Sequence, residues 1–316
     1  MYPLFENLSC LFPSGSQPLV ITDSSLVEGL FGQAGFKTQP LESFKRGAEL
    51  PKELILVSTA ASSFYDARQL QQAPFGSSIL DIPLVSFVGD LDKAVPYLLS
   101  RLQTLDFASA CRTSLRAVEA IQQATQPIRV TSRQRELRVE LGEDVHIAQP
   151  HVEPLIRQGE MISLGQFLEV GLVPNKAGTS FAVYGELVCD GASVAHHHRN
   201  HEKSEPCALA AWTSLGRIRK AGGFPLLLSI HDSRVTSITT AMGDEVLSDF
   251  LPLTDRVFRG HLIEFALASL PASASTDWAI NSQINEAAGG VHVALGTGVN
   301  AAHIDFIASS ATWSLN

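Results

Sequence analysis

The sequence changes character near Pro127, and this change constrains the fold more than any other feature. Between residues 18 and 125, short apolar runs such as PLVITD, ELILVST and SILDIPLVSF alternate with helix-length amphipathic stretches such as SLVEGLFGQAG and SFYDARQLQQ. After Pro127, short alternating runs are separated by Gly, Asn and Pro turns, a pattern typical of strands. We therefore predict an α/β domain with an open, largely parallel sheet over residues 1–126. A β-rich α+β domain is predicted over residues 127–316, with a cleft at the junction.

Composition excludes several classes of protein. The chain has 23 basic and 32 acidic side chains, and its formal net charge of −9 argues against a nucleic-acid partner or an anionic membrane. Hydrophobic residues make up 45% of the chain, so it can form a core without a structural metal or disulfides. No signal peptide and no apolar run long enough to span a membrane is evident, so we expect a soluble, cytoplasmic protein. The cysteines have no metal-site or disulfide spacing and are expected to be free thiols: Cys10, Cys111, Cys189 and Cys207.

Two strand-like segments near the end of the chain carry candidate ligands for a metal. In VHVAL, His292 alternates with Val291 and Val293 and therefore faces the other side of a strand. In HID, His303 and Asp305 are two residues apart, which places both side chains on one face about 7 Å apart. Imidazole and carboxylate together suit zinc, iron or manganese. The alternative is a set of polar core residues that bond to the backbone.

These segments resemble those of a known superfamily. The C-terminal third is similar to the metallo-aminopeptidases of the aminopeptidase T and S type and to the related 2,5-dihydroxypyridine 5,6-dioxygenases. Their EFGIG-like, VHIALG and IHxD segments correspond here to LIEFALA, GGVHVALG and AAHIDFI. The resemblance covers roughly residues 115–310. It implies that Glu264, His292, His303 and Asp305 are metal ligands, and that the protein is a homodimer like those enzymes.

The chain departs from this family at the first ligand. Where the family has Gly-Glu-Val, this sequence has Gly165, Gln166 and Phe167, so an amide replaces a carboxylate. Loss of that carboxylate argues against a dinuclear peptidase site and for a single metal ion. Glu169 is nearby, but it lies three residues further along the predicted strand than Gln166. Its side chain is therefore expected to face the other side. Gln166 would then orient the substrate or support the ligands.

A histidine-rich segment, AHHHRNHEKSEP, is predicted to be an exposed loop. His197 and His201 lie one helical turn apart and form a candidate secondary metal site, although solvated histidines explain the pattern as well. Only ten residues separate His292 from His303, so the substrate-covering loop of the resembling enzymes is shortened. The chain has neither a G-x-G-x-x-G nor a G-x-S-x-G motif.

Two functional hypotheses follow. The first is a mononuclear enzyme, a hydrolase or an oxygenase, that holds one zinc or iron ion and acts on a peptide or peptide-like substrate in specialised natural-product metabolism. The second is a non-catalytic protein on a degenerate aminopeptidase scaffold. It would hold no metal, bind an extended peptide by β-addition and assist maturation of a ribosomally made peptide natural product.

Overall fold

The computed structural model describes residues 3–43, 51–63, 76–148, 150–175, 180–197, 200–273 and 275–315. The labelled helices are α1 (Pro3–Ser9), α2 (Ser25–Gln33), α3 (Leu91–Leu102), α4 (Phe107–Gln122), α5 (His201–Lys220), α6 (Leu247–Phe250) and α7 (Gln283–Glu286). The strands are β1 (Leu19–Thr22), β2 (Thr38–Pro40), β3 (Glu53–Ser58), β4 (Ser78–Pro83), β5 (Ile128–Ser132), β6 (Arg135–Leu141), β7 (His146–Ile147), β8 (Met161–Ser163), β9 (Glu169–Val173), β10 (Phe181–Cys189), β11 (Gly191–Ala195), β12 (Leu226–His231), β13 (Arg234–Thr239), β14 (Leu262–Ala268), β15 (Val291–Leu295), β16 (His303–Ala308) and β17 (Thr312–Leu315).

The first part of the chain forms a parallel sheet with the strand order β2-β1-β3-β4-β8. Strand β3 is buried along its whole length, as expected for a central parallel strand covered on both faces. The predicted α/β architecture with an open parallel sheet is therefore confirmed. The edge strand β8 comes from beyond Pro127, so residues from both sides of the predicted domain boundary build this sheet. The helix predicted for SFYDARQLQQ falls largely on residues 64–75, outside the described residues.

The second part of the chain forms two antiparallel sheets, as the β-rich prediction requires. One has the order β13-β12-β10-β6-β5-β17, and the other has the order β11-β16-β15-β14-β9-β7. Apolar side chains from both sheets form one continuous core, so the sheets pack as a sandwich. The chain passes repeatedly from one sheet to the other, for example between β10 and β11 and between β16 and β17.

Two helices connect the parallel sheet to the sandwich, with the predicted break between them. The side chain of Asp106 accepts a hydrogen bond from the backbone N–H of Ser109 at 2.8 Å and caps α4. Phe107 near the start of α4 lies in the core of the first part, whereas Ile121 near its end lies in the sandwich core. Helix α4 thus links the two cores.

The prediction of a loop for AHHHRNHEKSEP is wrong in its second half, because α5 begins at His201. Ala208, Ala211 and Leu215 form a buried stripe that packs in the sandwich core. This tertiary packing outweighs Pro206, which lacks a backbone N–H for the helix. None of the described helices is both long and apolar enough to cross a membrane.

Candidate metal centre

The sheet that contains β14, β15 and β16 has two chemically different faces. Side chains such as Phe265, Val293 and Phe306 point into the sandwich core. The register pairs Ala266 with His292, and Ala294 with both Glu264 and Asp305, so these residues point to the opposite side. Five ionisable residues share that opposite face: Glu169, Glu264, His292, His303 and Asp305.

A β-bulge aims Glu264 at this face. The pairing of β14 with β15 shifts between Leu262 and Glu264, which leaves Ile263 as an extra residue. As a result, both Leu262 and Phe265 lie in the core although they are three residues apart. Without the extra residue, alternation from Leu262 would bring Glu264 to the core face instead.

Small residues between the ionisable groups leave room for their side chains. Gly171 on β9 lies opposite Ala266 on β14. A Cβ atom on Gly171 would lie only 2.6 Å from Oε1 of Glu264. Glycine is therefore the residue that lets the Glu264 carboxylate lie across β9 in its observed position.

The structure brings together all four residues that the resemblance implies as ligands. Nε2 of His303 lies 3.0 Å from Oδ1 of Asp305, and Nε2 of His292 lies 3.8 Å from the same oxygen. The two oxygens of Glu264 face different histidines: Oε1 lies 3.9 Å from Nε2 of His292, and Oε2 lies 3.6 Å from Nε2 of His303.

Glu169 also belongs to the cluster, and the prediction that it faces away is wrong. Its Oε2 lies 3.7 Å from Nε2 of His292 and is buried without a hydrogen-bond partner. Residues Leu164–Phe167 form a 3₁₀ turn rather than a continuous strand, so β9 begins at Glu169 and its alternation starts afresh there. The sequence pair Glu169-Val170, not Gln166-Phe167, occupies the site, and the carboxylate thought to be lost is present.

Hydrogen bonds fix the orientation of both histidine rings. Nδ1 of His292 lies 3.2 Å from the backbone oxygen of Glu286, and Nδ1 of His303 lies 2.8 Å from that of Gly296. Because a carbonyl oxygen only accepts, each Nδ1 carries the proton and donates it. Both Nε2 atoms, which point into the cluster, are thereby positioned as ligand atoms.

Burial and neighbouring charges shift the pKa values of the cluster. Burial raises the pKa of Glu169 to about 7; His292 opposes this rise, and the other carboxylates add to it. Burial by itself would lower the pKa of both histidines, but the carboxylates raise it to about 9 for His292 and about 10 for His303. For Asp305, burial favours a raised pKa, but His303 outweighs it and the pKa is lowered. In the metal-free protein, protons on both imidazoles thus offset the buried carboxylates at neutral pH.

A further carboxylate, missed from the sequence, lies behind the cluster. Glu286 at the end of α7 is buried, and its Oε1 accepts a hydrogen bond from the Ser193 hydroxyl at 2.9 Å. The same hydroxyl lies 3.3 Å from Oδ2 of Asp305. Burial raises the pKa of Glu286 well above its usual range, and the charge of Asp305 adds to the rise. In the sequence, only its position six residues before His292 indicates that Glu286 lies near the cluster.

The other predicted residues lie outside this cluster. The amide oxygen of Gln166 accepts a hydrogen bond from the Ser163 backbone at 2.9 Å and forms a capping box for the 3₁₀ turn. His197 bonds through its backbone N–H to Gly298 at 2.7 Å, while His201 begins α5. Within the described part of the chain, neither histidine joins a group of converging ligand atoms.

The structure defines a protein of two parts, a parallel α/β sheet and a β-sandwich that carries a histidine–carboxylate cluster. Within that class, the chain belongs to the family of crocagin biosynthetic proteins CgnE/B, whose profile matches residues 15–316.

Two solved structures show the same fold. AmpT from Thermus thermophilus has a TM-score of 0.51 and 13% sequence identity, covering 97% of this chain and 93% of that chain. The 2,5-dihydroxypyridine dioxygenase from Pseudomonas putida KT2440 also has a TM-score of 0.51 and 13% sequence identity. The match covers 99% of this chain and 92% of the dioxygenase chain. Among curated proteins no match was found. The resemblance of this chain to the superfamily, as a divergent member, is therefore confirmed at the level of the fold.

Proposed function

We propose that this member of the crocagin biosynthetic family is a metal-dependent protein that acts on a peptide or peptide-like compound. The observation that carries the proposal is the placement of the Glu264 carboxylate, whose two oxygens face two different histidines. The family gives the setting, natural-product biosynthesis. The peptide class of the substrate comes from the resemblance to the aminopeptidase T type.

The distances within the cluster suit a metal ion. Two ligand atoms that are each about 2.1 Å from a tetrahedral zinc ion lie about 3.4 Å apart. The contacts between the imidazole nitrogens and the carboxylate oxygens span 3.0–3.9 Å, and the atoms of each ligand group lie within 4.8 Å of one another. The unpartnered Oε2 of Glu169 also gains a partner if a cation is bound.

The cluster offers two groups of candidate ligand atoms, which supports two adjacent ions rather than one. One group consists of Glu169, Glu264 and His292, and the other consists of Glu264, His303 and Asp305. Glu264 belongs to both groups and would contribute a ligand to both positions. The single-ion prediction rested on a missing carboxylate that Glu169 supplies, so we propose two positions. The mixed imidazole and carboxylate set suits zinc, iron or manganese.

The chain itself would hold the ions and leave one side of them accessible. The His292 and Asp305 side chains are only 2% and 1% exposed, whereas those of Glu169 and His303 are 22% and 18% exposed. A substrate therefore has to approach from the side of Glu169 and His303. A bound divalent ion would polarise a carbonyl group or activate water there.

Metal analysis of untagged protein tests this proposal. We expect close to two zinc, iron or manganese ions per chain, with loss of metal in a His292→Ala variant. His231→Ala is the matched control, because His231 is exposed at the end of β12 and outside the cluster. Protein that binds none of these ions when they are added in excess would refute the metal centre.

The alternative remains a non-catalytic peptide-binding protein that assists maturation of a ribosomally made peptide. Its proposed mode, β-addition to an open strand edge, meets an obstacle at β11. The side-chain amide of Asn281 already bonds to the N–H of Val194 at 2.9 Å and to its carbonyl at 2.7 Å. A peptide would have to pair with another edge. Metal-free protein that binds an extended peptide would favour this alternative.

A further inference from the structure

A cavity of about 670 Å³, separate from the metal cluster, lies beyond the carboxyl ends of β3 and β4. Thr59, Phe87 and Leu91 line it on the side of the parallel sheet, and α5 lines it on the other. No residue of the metal cluster lines it. Its volume falls within the range of ligand-binding cavities, about 300–1,000 Å³. The carboxyl end of a parallel sheet is also where open α/β folds commonly bind ligands.

The polar groups at the end of β3 do not favour an anion in this cavity. The carboxylate of Asp23 accepts hydrogen bonds from the backbone N–H groups of Thr59 and Ala60 at 2.9 and 2.8 Å. These donors are therefore already engaged by a negative charge. Among the described lining residues there is also no lysine or arginine.

One stripe of α5 faces the cavity with an acidic and an apolar residue. His201, Glu205 and Leu209 are spaced four residues apart, so they lie on one side of the helix, and all three line the cavity. Leu209 is 55% exposed, so it offers accessible apolar surface to a ligand in the cavity. Glu205 is the only carboxylate among the described lining residues.

A buried histidine in the wall adds no positive charge. A ring N–H of His196 bonds to the backbone oxygen of Val85, and Nδ1 has no partner. Burial lowers the pKa of His196, while the charge of Glu205 opposes this effect. The imidazole is therefore mostly neutral at pH 7, and Glu205 supplies the one carboxylate among the described residues that line the cavity.

We propose that this cavity binds an apolar primary amine, with the ammonium group paired with Glu205 and the apolar body against Leu209 and Phe87. The ligand would supply a counter-charge to Glu205 and cover the exposed side chain of Leu209. The same chemistry occurs in a free amine and at the amino terminus of an apolar peptide. The proposal does not depend on the metal centre.

The test is calorimetric titration of the full chain after removal of metal by a chelator, so that the amine cannot bind through an ion. Two probes share one apolar body, 2-phenylethylamine and the uncharged 2-phenylethanol. We expect the amine to bind about fivefold more tightly than the alcohol, the upper range for an exposed ion pair. Glu205→Gln should abolish this preference. Glu202→Gln should keep it, because Glu202 is exposed on the same helix and does not line the cavity.

A second pair of probes separates the two sources of the amine. The tripeptide Phe-Ala-Ala with a free amino terminus is compared with its N-acetylated form. Binding of the free tripeptide more tightly than 2-phenylethylamine identifies a peptide terminus, whereas binding of the small amine alone identifies a free amine. Equal affinity for amine and alcohol, an unchanged preference in Glu205→Gln, or no binding of any probe would overturn the proposal. All these outcomes are independent of metal content.

Discussion

Gly171 provides a sharp test of the metal centre, because a change there moves a ligand without removing one. In Gly171→Ala, the new Cβ atom would lie 2.6 Å from Oε1 of Glu264, whereas ordinary contact begins at 3.4 Å. The carboxylate therefore has to move by about 0.8 Å, more than the roughly 0.5 Å that a preorganised site tolerates. We expect metal affinity to fall about 10- to 100-fold, the range found when the support of a ligand is lost.

The fold itself should tolerate this change. The atom that must move is the end of a flexible side chain, and the next contact of the new Cβ, Cβ of Ala148, lies at an ordinary 3.6 Å. We therefore expect the free energy of unfolding of the metal-free protein to change by less than about 1 kcal/mol. A loss of metal affinity at nearly constant stability would separate a displaced ligand from a damaged fold.

The assay is competitive titration with a chromophoric chelator, alongside urea unfolding of the metal-free protein. Gly216→Ala is the matched control: Gly216 lies in α5, and a Cβ atom there would meet nothing within 4 Å. This variant should gain up to about 1 kcal/mol of stability and keep its metal affinity. Wild-type metal affinity in Gly171→Ala would show that the carboxylate of Glu264 does not hold a metal ion.

Three further predictions follow from the same structure. Gln166→Glu should leave metal stoichiometry unchanged, because Glu169 already supplies the carboxylate; a gain measured by metal analysis would show that residue 166 faces the ions. Metal affinity should rise throughout the range from pH 6 to 9, because the ions displace protons from His292 and His303, whose pKa values are about 9 and about 10; flat affinity over this range would contradict the prediction. Burial raises the pKa of Asp81 to about 7, so the folded protein keeps a proton on this carboxyl that the unfolded chain loses near pH 4. The free energy of unfolding should therefore fall by up to about 4 kcal/mol as the pH rises from about 4 to about 7. Asp81→Asn should remove this pH dependence of the free energy of unfolding, measured by urea unfolding. An unaltered pH dependence would show that other groups cause it.

The two-part fold could be predicted from the sequence because its signals are local. The unbroken apolar run of β3 indicates a strand buried on both faces, and Asp106 marks the start of α4. The β-rich second half follows from its short runs and turns. The start of α5 could not be predicted in this way, because the buried stripe that stabilises it begins only after Pro206.

The site was partly predictable for a similar reason. Two-residue alternation places His303 and Asp305 on one face, and this spacing is visible in the sequence. The position of Glu169 depends on a 3₁₀ turn that ends just before it, and alternation counted through that turn gives the wrong face. Glu286 reaches the cluster through Ser193, a contact between segments 93 residues apart. No periodicity in the sequence reports such a contact.

The division of one sheet into an apolar face and an ionisable face links the chemistry to folding. A slip of β15 or β16 by one residue would bury imidazole and carboxylate groups in the sandwich core and expose its apolar side chains. Selection for a protein that merely folds therefore keeps the pairing of these strands, whatever chemistry the open face carries. A descendant with another task would inherit the same backbone frame and would need to exchange only a few side chains on the open face.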